Sequence, residues 1–123
     1  MKILVVDDSS VMRNRIARIA GARRYEIVGL AKNGLRALEV LRTTRPDVVT
    51  MDLTMPEMDG VTCTRGIVAA MPSARILVVS ALADKATAIE ALKAGAMGFL
   101  LKPFSDAQLE EALLDLAPES IHG

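Results

Sequence analysis

Polar residues that can do chemistry follow four short apolar runs in the sequence. An acid pair, Asp7 and Asp8, ends the first run. Asp52, Ser80 and Lys102 end three later runs. If these runs are parallel strands, their carboxyl ends meet at one end of the sheet, where open α/β sheets bind ligands. The sequence therefore predicts a pocket that combines three carboxylates, a hydroxyl and an ammonium group.

The charges in this predicted pocket do not balance by themselves. Three carboxylates and one ammonium group leave two negative charges to be offset. Two like charges about 4 Å apart near a protein surface repel by roughly 4 kcal/mol, so such a cluster holds protons or binds a cation. Because the ligands would be oxygens, without histidine or thiolate, we expect Mg2+ or a relative such as Mn2+.

A carboxylate beside such an ion can attack phosphorus and form an aspartyl phosphate. Asp52 is the candidate nucleophile. The metal, the Lys102 ammonium and the Ser80 hydroxyl would each hold one phosphoryl oxygen. Taken singly, these residues also suit a helix cap, a turn or a solvated strand end. The hypothesis depends on their occurring together at four strand ends.

The composition is that of an ordinary folded domain. The chain has 123 residues, of which 51% are hydrophobic and 24% charged, so it can bury a core. Fifteen basic residues balance fifteen acidic ones, which argues against binding to nucleic acid or to a membrane surface. The lone Cys63 and the short apolar N-terminal run favour the cytoplasm. We expect one domain over residues 1–117, a short tail over 118–123 and no output module.

The elements that must position the polar residues are predicted by hydrophobic periodicity. Short runs of branched apolar residues alternate with helical stretches, which is typical of a parallel sheet covered by helices. Four strands are expected inside the sheet, buried on both faces, and the more polar second strand at an edge. The predicted strands are Lys2–Val6, Tyr25–Ala31, Pro46–Met51, Arg75–Val79 and Met97–Leu101.

The helical stretches carry apolar residues three or four positions apart, and these faces are expected to cover the sheet. They are Met12, Ile16 and Ile19 in the first helix, Leu35, Leu38 and Leu41 in the second, and Leu109, Leu113 and Leu116 in the last. Side chains that can cap a helix N-terminus precede several of these stretches. The candidate caps are Ser9 or Ser10, Asn33, Asp84 and Ser105.

Four segments together resemble the receiver domains of bacterial two-component response regulators. They are Val5-Val6-Asp7-Asp8, the ten residues from Met51 to Gly60, Ser80-Ala81, and Lys102-Pro103-Phe104. The resemblance covers essentially the whole chain. It implies a flavodoxin-like α/β fold, a doubly wound five-stranded parallel sheet in the order 2-1-3-4-5 flanked by five helices.

The resemblance also implies a role for each residue of the pocket. Asp52 is similar to the phosphoacceptor of the family. Asp8, Asp52 and the backbone carbonyl of Thr54 match its direct Mg2+ ligands, and Asp7 matches a ligand that acts through water. The bond between Lys102 and Pro103 is expected to be cis, as in the family.

A switch that reports phosphorylation is implied in the same way. Ser80 matches the switch hydroxyl, Lys102 the phosphate-binding lysine and Phe99 the switch aromatic. The surface formed by the fourth helix, fifth strand and fifth helix would then be read by a partner. Leu82, two residues after Ser80, is apolar where the family tunes its own dephosphorylation, so we expect a long-lived phosphorylated state.

The implied partners are a sensor histidine kinase as phosphodonor and a downstream target protein. The stretch from Asp8 to Arg13 and the missing output domain are similar to single-domain chemotaxis regulators, which bind the flagellar motor switch. A phosphorelay intermediate, a developmental regulator or a receiver cut from a longer protein would show nearly the same sequence. We expect a monomer that catalyses only its own phosphorylation and dephosphorylation.

Three other functions fit the sequence less well. A haloacid-dehalogenase-type phosphatase also uses a strand-end aspartate, but it needs a second acid where this chain has Thr54. Nucleotide binding lacks a glycine-rich phosphate loop after any predicted strand. An interaction module that is never phosphorylated would have no need of the complete set of site residues.

Overall fold

The computed structural model describes residues 1–116, so the predicted tail at 118–123 lies outside the described residues. Five strands alternate with five helices, as the periodicity predicts. The strands are β1 (Lys2–Val6), β2 (Glu26–Ala31), β3 (Val48–Asp52), β4 (Arg75–Ala81) and β5 (Gly98–Lys102). The helices are α1 (Ser10–Gly21), α2 (Gly34–Thr44), α3 (Gly60–Ala70), α4 (Lys85–Lys93) and α5 (Asp106–Leu116), with a 3-10 turn (Leu82–Asp84) before α4.

All four strand pairs are parallel, and the sheet order is β2-β1-β3-β4-β5. The predicted fold class and strand order are confirmed. Two strands extend one residue beyond their predicted ends, so β3 includes Asp52 and β5 includes Lys102. Both functional side chains therefore start from backbone that is held in the sheet.

The expectation that the fifth strand is buried on both faces was wrong. Among the described strands, β5 pairs with β4 alone and forms the second edge of the sheet. Phe99 and Leu101 are each 38% exposed. An apolar run in the sequence does not indicate whether the strand will lie inside the sheet or at its edge.

Two apolar clusters lie on opposite faces of the sheet. The residues of one cluster come mainly from the sheet, α2, α3 and α4, and those of the other from the sheet, α1 and α5. Ile16, Ile19 and the three leucines predicted for α5 are buried as expected. Leu35 is 46% exposed, contrary to the prediction, whereas Leu41 is buried. Each three-residue step on a helix falls about 60° short of a full turn. Leu35 and Leu41 therefore point about 120° apart, and only Leu41 faces the core.

Local caps start most of the helices. The side chains of Ser9 and Asn33 accept hydrogen bonds from the backbone N–H groups three residues later, as predicted. Ser105 accepts from the N–H of Gln108 in the same way. Asp84 precedes α4 but makes no capping hydrogen bond there, contrary to expectation. Over residues 1–116, no helix is long and apolar enough to cross a membrane.

Candidate functional site

The ends of β1 and β3 bring three carboxylates together. Oxygen atoms of Asp7, Asp8 and Asp52 lie within 4.8 Å of one another, and we call this group the acid cluster. Asp7 is 1% exposed and Asp52 is 6% exposed, whereas Asp8 is exposed to solvent. Parallel pairing of Val6 with Met51 aligns the two strand ends, which is why residues 45 positions apart become neighbours.

Backbone contacts hold the Asp7 side of the acid cluster. The Asp7 carboxylate accepts a hydrogen bond from the Ser9 N–H at 2.9 Å. The Asp7 N–H donates to the Ala31 carbonyl at 3.0 Å, and the Arg13 guanidinium donates to the Asp7 carbonyl at 2.7 Å. Asp7 is therefore held by β2 on one side and by α1 on the other.

Lys102 places its ammonium group against two members of the acid cluster. Its Nζ atom lies 3.3 Å from Asp7 Oδ2 and 3.5 Å from Asp52 Oδ1. The side chain is 25% exposed. One cation shared between two nearly buried carboxylates cannot neutralise both, so the site keeps the net negative charge that the sequence predicts.

Asp52 is the carboxylate most affected by its surroundings. Burial, and after it the charge of the neighbouring Asp7 carboxylate, raises its pKa to about 6. The Lys102 ammonium and the hydrogen bond from the Thr54 N–H act in the opposite direction, since both favour the charged form. Burial and like charge together outweigh them, so the ionised Asp52 side chain calls for additional positive charge.

The side chain of Ser80 is buried, and its hydroxyl has no hydrogen-bond partner among the described residues. Ser80 is 1% exposed. A buried hydroxyl without a partner lowers stability, and the hydroxyls of Thr50 and Thr64 are in the same condition. The predicted role of Ser80 as a ligand for an incoming oxygen is compatible with this unused donor.

The remaining predicted residues lie around the acid cluster. The Thr54 N–H is 3.4 Å from Asp52 Oδ1, and the Thr54 hydroxyl donates to Asp84 Oδ2 at 3.3 Å. Phe99 pairs with Val78 in the β4–β5 register, two residues before Ser80, and its ring is partly exposed. It therefore lies outside the carboxylate site itself. The Lys102-Pro103 bond is cis, as predicted.

Gly60, which ends the Met51–Gly60 segment but has no predicted role of its own, shapes the site. A Cβ atom added to Gly60 would lie 2.3 Å from the backbone oxygen of Asp52 and 2.7 Å from the Cα atom of Leu53. The Gly60 N–H also donates to the Leu53 carbonyl at 3.0 Å. Glycine is needed here because α3 begins directly against the end of β3. A glycine eight positions after the candidate nucleophile was the available signal.

The donor set fits a hard divalent cation. Three carboxylates contribute oxygen ligands from two strand ends and the turn after β1, and no histidine or cysteine belongs to the described cluster. Partial exposure of the cluster through Asp8 leaves room for water, which Mg2+ usually retains. The acid cluster is therefore a suitable cation site.

Comparison with known proteins identifies the family. A family described as "Response regulator receiver domain" matches residues 3–114. The chain belongs to this family. As a receiver domain it is 44% identical over 112 residues to a chemotaxis protein CheY from Thermotoga maritima, covering 91% of this chain and 93% of that one. The predicted identity as a two-component response-regulator receiver is confirmed, and a phosphatase is not favoured.

Two further similarities extend this result. The receiver domain is 45% identical to part of a protein-glutamate methylesterase/protein-glutamine glutaminase from Vibrio parahaemolyticus, covering 86% of this chain and 29% of that protein. The structure resembles that of a CheX–CheY–BeF3–Mg2+ complex from Borrelia burgdorferi, with a TM-score of 0.88 and 30% identity over 94% of this chain and 87% of that one. Receiver domains similar to this one thus occur both alone and joined to an enzyme.

Proposed function

We propose that this receiver domain accepts a phosphoryl group on Asp52, with Mg2+ bound at the acid cluster, and changes its α4-β5-α5 surface in response. The contact of one lysine with two buried carboxylates is the observation that supports this most directly. Lys102 Nζ lies within 3.5 Å of both Asp7 and Asp52, at the place where a transferred phosphoryl group would need a cation.

The reaction is a displacement at phosphorus. A carboxylate oxygen of Asp52 forms a bond to phosphorus while the bond from phosphorus to the donor breaks, and the leaving group takes the electron pair of that bond. With acetyl phosphate the leaving group is acetate, and with a kinase it is the imidazole of a phosphohistidine. Attack of water on the same phosphorus later restores the Asp52 carboxylate and releases inorganic phosphate.

The residues around Asp52 would divide the phosphoryl oxygens between them. Lys102 would move from the carboxylates to one phosphoryl oxygen, and the unused hydroxyl of Ser80 would donate to another. Asp7, Asp8, Asp52 and the Thr54 carbonyl would hold the metal. Bound Mg2+ supplies positive charge that offsets the carboxylates and the developing phosphoryl charge.

Phe99 and its surface would carry the signal outward. Phe99 lies on β5, on the side of the sheet that Ser80 shares through the β4–β5 register. Turning of the Ser80 hydroxyl toward the phosphoryl group would open space that the ring can enter, which shifts a pre-existing equilibrium between two states. The half-exposed ring is compatible with such a movement.

Phosphotransfer from acetyl phosphate tests the proposal. The wild-type protein and the Asp52→Asn variant are incubated with the donor and Mg2+, and intact mass is measured over time. We expect the wild type to gain the mass of one phosphoryl group, and the variant and an EDTA-treated sample to gain none. An unchanged wild-type mass, or equal labelling of the variant, would refute Asp52 as the acceptor.

The kinase and the target are proposed from the relatives. Identity of 41–44% to several chemotaxis proteins CheY supports a flagellar motor switch as the target and a histidine kinase as the donor. We further propose that residues 1–117 form one receiver domain, that the protein works as a cytoplasmic monomer, and that it turns over no external substrate. Restored swimming reversals in a bacterium lacking its own regulator would support the chemotactic role, and loss of rescue by Asp52→Asn would link that role to phosphorylation.

A further inference from the structure

The sheet connects Lys102 to the acid pair only through two intervening strands. β1 carries Asp7 at its end and β5 carries Lys102, but β3 and β4 lie between them. Three strand spacings separate β1 from β5 by about 14 Å. No ladder of hydrogen bonds joins these two described strands directly, although Lys102 Nζ lies 3.3 Å from Asp7 Oδ2.

Helix α1 supplies a second connection between them. Arg13 donates to the Asp7 carbonyl at 2.7 Å, at the end of β1. Two residues later, Arg15 Nη2 donates to the Phe104 carbonyl at 2.6 Å, two residues after Lys102. One short segment of α1 thus donates hydrogen bonds both to the backbone at the acid pair and to the backbone just after the lysine.

Arg15 makes three contacts with the segment that follows Lys102. Besides the bond to the Phe104 carbonyl, its guanidinium lies 4.6 Å from the centre of the Phe104 ring, and Nη2 lies 3.2 Å from Asp106 Oδ1. Phe104 is 5% exposed and belongs to the apolar cluster under α1 and α5. The Asp106 side chain is 57% exposed, so water screens that ion pair. The carbonyl bond and the ring contact are therefore the effective part of this connection.

We propose that Arg15 is a positioning residue for Lys102: it anchors the Lys102–Phe104 segment to α1 and so holds the ammonium group over the acid cluster. The inference rests on the proposed phosphoacceptor function for its effect on rate, but the anchoring is a property of the unphosphorylated protein. Small displacements of a group that holds a reacting atom reduce rates strongly.

The central variant is Arg15→Met, which keeps an unbranched side chain and removes the guanidinium group that makes all three contacts. The matched control is Arg23→Met, because Arg23 also joins the α1 region to α5, through Glu110 at 2.8 Å, away from the acid cluster. Asp106→Asn removes the screened ion pair alone. Arg15→Lys keeps the charge but loses the planar group that stacks on Phe104.

Phosphorylation kinetics with acetyl phosphate are measured at saturating Mg2+, together with Mg2+ affinity by calorimetry. For Arg15→Met we expect the maximal rate constant to fall about tenfold, with Mg2+ affinity within about twofold of wild type, since the acid cluster is untouched. Arg15→Lys should lie between, and Arg23→Met and Asp106→Asn should stay within about twofold of wild type. An Arg15→Met rate equal to that of Arg23→Met would overturn the proposal.

Amide resonances in two-dimensional NMR spectra of the metal-free proteins provide a readout independent of phosphorylation. The Lys102 resonance should shift in Arg15→Met and stay in place in Arg23→Met. If the wild type accepts no phosphoryl group while Lys102 still responds to Arg15, the proposed function fails and the anchoring stands. If Lys102 is unaffected by Arg15→Met, the anchoring is refuted whatever the wild type does with acetyl phosphate.

Discussion

Two regions of the receiver domain differ in how far their polar groups are paired. One is the acid cluster with Lys102 and Ser80 at the carboxyl ends of the strands. The other is a cavity of about 570 Å³ that we call the α5 groove. Its lining residues are Met1, Arg23, Arg24, Tyr25, Ala107, Glu110, Glu111 and Leu114.

Arg23 and Tyr25 in the α5 groove have hydrogen-bond partners, whereas the polar groups at the strand ends are incompletely paired. In the α5 groove, Arg23 pairs with Glu110 at 2.8 Å and the Tyr25 hydroxyl donates to the Leu113 carbonyl at 3.3 Å. At the strand ends, two nearly buried carboxylates share one ammonium group and a buried hydroxyl is unused. Volume shows where a molecule would fit, whereas unbalanced buried charge shows where chemistry is prepared. The following variants test that distinction.

Replacing the shared cation should have the largest effect. Lys102→Met leaves two buried carboxylates without their ammonium group and removes one ligand of the phosphoryl oxygens. The rate constant for phosphorylation by acetyl phosphate should fall by about 100-fold or more, as for loss of one donor to a developing charge. Stopped samples analysed by intact mass give the rate. A variant that is phosphorylated at the wild-type rate would remove the electrostatic argument for this region.

Crowding the backbone beneath Asp52 should also be costly. Gly60→Ala places a methyl group 2.3 Å from the Asp52 carbonyl oxygen, so β3 and α3 must move apart. We expect a loss of about 3 kcal/mol in the free energy of unfolding, measured with urea. Gly21→Ala is the control, because its added Cβ has no neighbour within 4 Å. Equal stability of the two variants would contradict the close approach.

The raised pKa of Asp52 makes stability depend on pH in the absence of metal. With a pKa of about 6 in the folded protein and 3.8 as the ordinary value, the folded state binds the proton more tightly. The stability contributed by protonated Asp52 is fully present below about pH 4 and is lost as the pH rises through 6. Relative to Asp52→Asn, the wild type should lose on the order of 2 kcal/mol across that interval.

Urea unfolding curves at a series of pH values, without Mg2+, measure this difference. Subtracting the Asp52→Asn curve removes the titrations that the two proteins share. Added Mg2+ should restore wild-type stability at neutral pH, because the cation offsets the ionised Asp52. Parallel pH profiles for wild type and variant would show that burial does not raise the pKa of Asp52.

A smaller effect is expected at the rim of the site. Leu82 is 67% exposed beside the end of β4 and offers no group that can orient water. Leu82→Glu should speed the decay of the aspartyl phosphate by about tenfold, because a carboxylate can hold the attacking water. Decay is followed by intact mass after the donor is removed. Leu82→Gln separates the effect of charge from that of polarity, and an unchanged decay would dismiss the role of Leu82.

The smallest effect is expected in the α5 groove. Leu114 is 53% exposed there, so Leu114→Ser removes little buried surface. Both the rate of phosphorylation and its Mg2+ dependence should stay within about twofold of wild type. A loss comparable with that of Lys102→Met would show that the groove takes part in phosphoryl transfer and would erase the contrast between the two regions.

Much of the fold could be predicted because its signals are local. Runs of branched residues mark the strands, and the caps at Ser9 and Asn33 act on N–H groups only three residues away. The rule that parallel strands end on one side then collected Asp7, Asp52 and Lys102 without any knowledge of distances. Their contacts within 3.5 Å agree with that rule. The roles of Ser80, Thr54 and Phe99 stay predictions.

The sequence by itself determined which residues end the strands and how the chain alternates between strand and helix, since those depend on neighbours along the chain. Only the tertiary structure decided that Gly60 lies against the Asp52 carbonyl and that Arg15 contacts Phe104. Arg15 and Phe104 are 89 positions apart, and no periodicity links two such residues. Their contact arises because α1 and α5 pack side by side over one face of the sheet, where burial in a shared core brings distant parts of the chain together.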